Sequence, residues 1–158
     1  YQRKKLTGYI MNLMNQEELE YEVKKLLELA LQVREIAYCP YSGYKVGAAL
    51  LDTKGNYHTG CNIESSDYTL TTHAEMLAID SMVKSGFKEI SKILIVLEGD
   101  EKPATPCGLC RQKMSEFSKK NISIYSINLN KAGNINKIYH FTLDELLPYR
   151  FDSSFLGK

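Results

Sequence analysis

Ile93-Leu94-Ile95-Val96-Leu97 sets five apolar residues in succession, with no polar position on either face of a period-two pattern. Side chains alternate between the two faces of a strand, so such a run suits a strand covered on both sides. It predicts a central strand, and the rest of the chain must supply the covering elements. Between Gln16 and Ala37, Leu19, Val23, Leu26, Leu27, Ala30, Leu31 and Val33 recur at spacings of three and four among Glu and Lys. That periodicity predicts an amphipathic helix, ended by Pro40. Lys45 to Leu51 reads as a short buried strand. The Lys54-Gly55-Asn56 turn returns the chain through Tyr57 to Ile63 as a hairpin partner. A second helix opens at Thr72-His73-Ala74-Glu75 and stops at Gly86, and a third opens at Pro106-Cys107 and runs to about Lys120. Ile122, Ile124 and Ile127 mark a fourth strand and Ile135 to Phe141 a fifth. Thr142 and Glu145 have capping-box spacing before Pro148.

The order α, β, β, α, β, α, β, β with short connections predicts one α/β domain over residues 16–158, with helices on a mixed five-stranded sheet. Residues 1–15 begin at Tyr1 and carry Met11 and Met14. They are set aside as an N-terminal extension that need not be native. A chain of 158 residues buries roughly 70% of its unfolded surface, so its core needs no disulfide staples. Twenty Lys and Arg against 19 Asp and Glu leave a net charge of +1, which argues against a nucleic-acid partner. No apolar run is long enough to span a bilayer, and Arg3-Lys4-Lys5 leads into Gly8 and polar residues rather than a secretory segment. Cys39, Cys61, Cys107 and Cys110 are too few for a disulfide framework. They point to a reducing cytoplasm, with thiols buried or holding metal.

Cys107-Gly108-Leu109-Cys110 alone fits a redox dithiol, half a zinc ribbon or two packed thiols. His73 and Glu75 narrow the choice. His-x-Glu at one helix start and Pro-Cys-x-x-Cys at another form the zinc-deaminase signature. His73, Cys107 and Cys110 supply one nitrogen and two sulfurs to a zinc ion, and the fourth tetrahedral position stays open as in catalytic sites. In the first turn of a helix the two thiols meet the positive end of its dipole, which favours thiolate. Glu75 is then placed to shuttle a proton from water to a ring nitrogen and later to a departing amine. Against this stand plainer readings. Thr72 and Glu75 also have capping-box spacing. A single histidine is most often structural, as His58 and His140 are expected to be, and Cys39 and Cys61 are expected to be buried as small apolar groups.

Four further segments make the pattern specific. Pro40-Tyr41-Ser42-Gly43-Tyr44-Lys45-Val46-Gly47-Ala48-Ala49-Leu50, Cys61-Asn62-Ile63-Glu64, Pro106-Cys107-Gly108-Leu109-Cys110-Arg111-Gln112 and Glu145-Leu146-Leu147-Pro148-Tyr149-Arg150-Phe151 resemble, in order, the motifs of the cytidine deaminase family. The resemblance implies a three-layer α/β/α sandwich, one Zn2+ per chain, and hydrolysis of a free nucleoside, cytidine or deoxycytidine, in pyrimidine salvage. It further implies that Asn62 and Glu64 bind the sugar hydroxyl, that Tyr44 takes the place of a Phe stacked on the pyrimidine, and that Ala74 offers its backbone to the base. Phe151 stands where short members send an aromatic ring into a neighbour's pocket, so a homo-oligomer with shared active sites is expected, a tetramer before a dimer.

This chain departs from short members in having His73-Ala74-Glu75-Met76 where they commonly carry Cys-Ala-Glu-Arg. Two thiolates and a neutral imidazole balance the charge of Zn2+, so the Arg that offsets a third thiolate is dispensable. Two rival functions remain at this point. A deaminase of a free base or of adenosine in tRNA suits His-Ala-Glu-Met, although the Asn62/Glu64 pair and the small net charge disfavour it. A structural zinc domain would close its metal site with Cys39 or Cys61.

Overall fold

A computed structural model of the chain describes residues 2–6 and 9–157, with side chains from residue 13 onward. The elements run β1 (Gln2–Leu6), β2 (Tyr9–Met14), α1 (Tyr21–Glu35), β3 (Val46–Asp52), β4 (Tyr57–Cys61), α2 (Ala74–Lys84), β5 (Ile90–Glu98), α3 (Gly108–Glu116), β6 (Ser123–Leu129), β7 (Ile135–Thr142) and α4 (Leu143–Leu146). One mixed sheet has the order β1-β2-β7-β6-β5-β3-β4. Only the β5–β6 pair is parallel, and all other pairs are antiparallel.

The five expected strands are all present, with β5 in the middle of them. The sheet nevertheless has seven strands rather than five, because the segment set aside at the N-terminus pairs as a hairpin. Asn12 lies opposite His140 and Met14 opposite Ile138, so β2 occupies what would otherwise be the bare edge of β7. An unpaired edge exposes a row of backbone donors and acceptors, and the hairpin satisfies them. The side chains of Arg3, Lys4 and Lys5 lie outside the described residues.

Both faces of β5 are covered. Leu94 and Val96 pack under α1 with Leu26, Leu27 and Ala30, and Ile93, Ile95 and Leu97 pack under α2 and α3 with Ala78, Ile79, Cys110 and Met114. This is the three-layer α/β/α arrangement. Helix α1 begins at Tyr21 rather than Gln16, because a short 3-10 turn over Gln16–Glu18 ends with Leu19 in an extended conformation. Leu19 still joins the core, from outside the helix. Two glycines set how closely the layers approach. A Cβ on Gly47 would lie 2.1 Å from the Ala30 carbonyl oxygen of α1, and one on Gly60 would lie 2.4 Å from the Ala74 carbonyl oxygen of α2. Backbone therefore meets backbone at both points, and α2 is seated with its first turn against β4.

Candidate active site

The first turns of α2 and α3 converge beside the C-terminal end of β5, at the parallel strand pair where α/β sheets commonly bind ligands. Ile63 and Thr72 exchange backbone hydrogen bonds of 2.9 Å each way, which holds Thr72 extended and makes His73 the N-cap of α2. Cys107 is the N-cap of α3, and Cys110 lies in its first turn. His73 Nδ1 is 3.3 Å from both Sγ atoms, and the two sulfurs are 3.6 Å apart.

These separations fit zinc. Bonds of about 2.3 Å to sulfur and 2.0–2.1 Å to nitrogen, at tetrahedral angles, place two sulfurs about 3.8 Å apart and sulfur about 3.6 Å from nitrogen. The three donors form the one metal-competent cluster of His, Cys, Asp and Glu among the described residues. Burial, with Glu75 and Cys107 close by, pushes the Cys110 thiol well above its ordinary range. A coordinated divalent cation reverses that, since a thiol bound to it is deprotonated outright.

Glu75 is buried, and its carboxyl group meets the Cys110 thiol. It does not form a capping box with Thr72, because the N-cap is His73, one residue later than that box requires. Burial pushes its carboxyl group above the ordinary range, offset in part by backbone hydrogen bonding, His73 and the Cys110 contact. A group that exchanges protons near neutrality needs a shift in that direction.

A pocket of about 260 Å³ opens over this centre, lined among others by Tyr44, Asn62, Ala74, Glu75, Thr105 and Cys107 on a floor of Ile95 and Leu97. The five expected substrate contacts therefore divide three to two. Tyr44, Asn62 and Ala74 line the pocket, whereas Glu64 and Phe151 do not. The Asn62 side chain accepts from the Val46 N–H at 2.8 Å and donates to the Tyr44 carbonyl at 2.8 Å. Glu64 accepts from the backbone N–H groups of Tyr41 at 3.0 Å and Ser42 at 3.2 Å, and from the Ser42 hydroxyl. These bonds hold its carboxyl group below the usual range. Phe151 stands on the surface, stacked on Phe155 with ring centroids 5.3 Å apart. Gln112 Nε2 donates to the Phe151 carbonyl at 2.8 Å.

Cys61 is buried, Cys39 partly so, and neither belongs to the metal cluster. Buried His58 meets Asp52 at 2.9 Å, away from the pocket. One residue at the site escaped attention except as part of a motif. Arg111 donates to the Pro106 carbonyl, to Thr105 Oγ1 and to the Leu146 carbonyl at 2.6, 2.7 and 2.9 Å, tying the segment before Cys107 to α4. Its place directly after the second cysteine was the available signal. Its partners were not legible.

Comparison with known proteins agrees with this geometry. The family model for the cytidine and deoxycytidylate deaminase zinc-binding region matches residues 20–126. A cytidine deaminase of Sporosarcina psychrophila is 40% identical over 136 residues, covering 86% of this chain and 96% of the relative. Another, of Halalkalibacterium halodurans, is 40% identical over 126 residues, or 80% and 91% of the two chains. The crystal structure of the Burkholderia pseudomallei cytidine deaminase superposes with a TM-score of 0.70 at 35% identity, covering 84% of this chain and 100% of that one. The matched family model, these relatives and the three donors beside a buried carboxyl group agree, and this chain belongs to the cytidine and deoxycytidylate deaminase family of zinc-binding enzymes.

Proposed function

We propose that the chain hydrolyses cytidine and deoxycytidine at C4, consuming one water and releasing uridine or deoxyuridine and ammonia, as a step of pyrimidine salvage. The observation that carries this reading is the buried Glu75 carboxyl group beside the His73, Cys107 and Cys110 donors, on one side of a closed-bottomed pocket. Zinc, when bound there, supplies Lewis acidity and lowers the pKa of a bound water from about 15.7 towards 7. Glu75 takes the proton from the attacking water and passes it to N3 of the pyrimidine; it then carries the proton of the new C4 hydroxyl to the departing amine, so that the C4–N bond breaks as the C4 carbonyl forms. Ile95 and Leu97 form an apolar floor, and Tyr44 supplies a ring to stack on the base. The Ala74 backbone faces the base edge.

Asn62 and Glu64 bind the sugar hydroxyl in this reading. Both already hold the turn at 41–46, so the sugar has to share Asn62 and to replace the Ser42 hydroxyl on Glu64. Phe151 completes the pocket of a neighbouring subunit, in a homo-oligomer for which we favour a tetramer. Its exposed position within one chain, stacked on Phe155, supports that contact. No helix of the described residues is long and apolar enough to cross a membrane. The four cysteines stand as free thiols, and two of them serve the metal, which suits a reducing cytoplasm.

Incubating the zinc-loaded protein with cytidine and following the ultraviolet spectrum tests the proposal. Conversion to the uridine spectrum with one ammonia per turnover is expected. No change with cytidine or deoxycytidine overturns it.

A further inference from the structure

Part of the pocket wall is a stretch of chain that has almost no backbone structure of its own. Residues 99–106 connect β5 to Cys107, and Ala104 and Thr105 within them line the pocket. Among the described residues, one backbone–backbone hydrogen bond ties this stretch down, from the Gly99 N–H to the Leu129 carbonyl. Side chains do the rest, Arg111 at Thr105 and Pro106 and the sheet at the residues before them. Asn128 Nδ2 donates to the carbonyls of Asp100 at 2.9 Å and Lys102 at 2.8 Å. The Tyr139 hydroxyl donates to the Glu101 carbonyl at 2.7 Å, and the Ser126 hydroxyl donates to the Ala104 carbonyl at 2.9 Å.

Ser126, Asn128 and Tyr139 belong to the sheet, not to a loop. Ser126 lies opposite Ile95 on one side and Tyr139 on the other, and Asn128 lies opposite Leu97. Registered neighbours point to the same face, so the two polar side chains continue the row that forms the apolar pocket floor. Both residues are fully buried. At those positions an apolar side chain would serve the core better, because burying a polar group is costly unless its hydrogen bonds are met. Asn128 illustrates the cost: its Oδ1 has no partner, while both of its N–H groups are spent on the wall. Gly99 comes close enough to the amide that a Cβ there would lie 2.8 Å from Nδ2.

We infer that Ser126 and Asn128 are positioning residues for substrate binding: they form a rigid rail on β6 that holds residues 100–104 as the pocket wall and so sets nucleoside affinity. The inference rests on the proposed deaminase activity for its kinetic readout, but not for its structural one. Neither residue lines the pocket, so they act through Ala104, while the adjoining Thr105 is tied to Arg111. The zinc donors are held separately, by the N-terminal turns of α2 and α3, so the rail should govern KM and leave kcat and metal content alone.

Two variants test this in the full-length, zinc-loaded protein. Ser126→Ala removes one hydroxyl at nearly constant volume, and Asn128→Leu removes both amide donors while keeping a side chain that a buried strand accepts. Each is expected to raise KM for cytidine about three- to tenfold, the worth of one or two hydrogen bonds, with kcat and zinc content within about twofold of wild type. Uridine affinity by calorimetry should fall in step, and Ser126→Thr should restore both. Limited proteolysis by a protease of broad specificity should quicken within residues 100–105 and not in β6 itself. A purely structural role for these residues would lower the melting temperature and leave the KM of the folded enzyme unchanged. Wild-type KM and uridine affinity in both folded variants would overturn the inference, as would unchanged proteolysis at 100–105. If the wild-type protein neither turns over cytidine nor binds uridine, the deaminase reading fails. The proteolysis experiment then still decides whether the rail holds the wall.

Discussion

The Tyr44 hydroxyl donates a 2.7 Å hydrogen bond to the carbonyl of Glu98, the last residue of β5, and so pins the ring of a loop residue to the end of the central strand. The Tyr44 main chain is pinned too, through its carbonyl and the Asn62 side chain. With both ends of the residue held, the ring borders the pocket in one orientation. A Phe at this position has the same stacking surface and no tether.

Tyr44→Phe should therefore bind nucleoside less well without altering the chemical step. We expect KM to rise about two- to tenfold with kcat unchanged, in keeping with the loss of one hydrogen bond of about 0.5–1.5 kcal/mol. Steady-state kinetics on cytidine measures this. A drop in kcat with KM unchanged would place Tyr44 in the reaction instead of at its border.

Glu75→Gln should keep the fold and the metal but lose catalysis. An amide of nearly the same shape fills the buried position beside Cys110 and cannot carry protons. The expected fall in kcat is about 10²–10⁴-fold, the usual worth of a general acid–base group. Zinc analysis and circular dichroism should match wild type, and wild-type turnover would remove Glu75 from the proton path.

Cys110→Ala should lose metal and activity together. With three protein donors there is no spare ligand, and Cys39 and Cys61 lie outside the cluster. Metal content is the decisive measurement. A full equivalent of zinc in this variant would mean that one of the distant cysteines can reach the ion.

These site residues were legible because their spacing is local: His73 with Glu75, and Cys107 with Cys110, each sit within one turn at a helix start, and helix starts are marked by short-range signals. Strand β5 was legible for a related reason, since an unbroken apolar run leaves little choice about what must cover it. The N-terminal hairpin was not legible. Its strands acquire a reason to pair only when β7 presents an edge, and β7 is more than a hundred residues away. Leu19 misled in a different way. Its four-residue spacing to Val23 matches a helical stripe, and it does reach the same core as α1, but from an extended residue before the helix. Glu64 and Asn62 were assigned to the sugar on motif position, and no sequence pattern could show that their polar atoms also fasten the turn at 41–46.

Asp52 supplies a pH dependence separate from the active site. Burial alone would raise the Asp52 carboxyl group, but hydrogen bonds from His58 and from Asn56 and Lys54 outweigh it and hold the group below its ordinary value. A carboxylate whose folded pKa is depressed adds stability above its unfolded pKa of about 3.9, and that stability disappears as pH falls through the lower folded value. Asp52→Asn should thus be less stable than wild type by about 1–3 kcal/mol at pH 7. The gap should shrink below about pH 4 as the wild-type carboxylate is protonated. Urea unfolding at pH 7, 4 and 3 measures it, and a gap that stays constant down to pH 3 would show that Asp52 acts by shape alone.

The exposed pair of Phe151 and Phe155 leads to the last test, of whether sites are shared between subunits. Within one chain the Phe151 ring covers no part of the pocket, although its backbone is held to α3 by Gln112. If the proposed shared site holds, this exposed aromatic pair would stack in a neighbour's pocket, adding about 0.5–1.5 kcal/mol beyond area burial. Glu75→Gln and Phe151→Ala should each give weakly active homo-oligomers. Co-expressed with distinguishable tags and purified as mixed oligomers, they should regain activity, because some pockets then combine an intact Glu75 with a neighbour's Phe151. Mixed oligomers with only the average of their parents' activity would mean that Phe151 serves its own chain. A fully active monomer on gel filtration would leave no neighbour for it to serve.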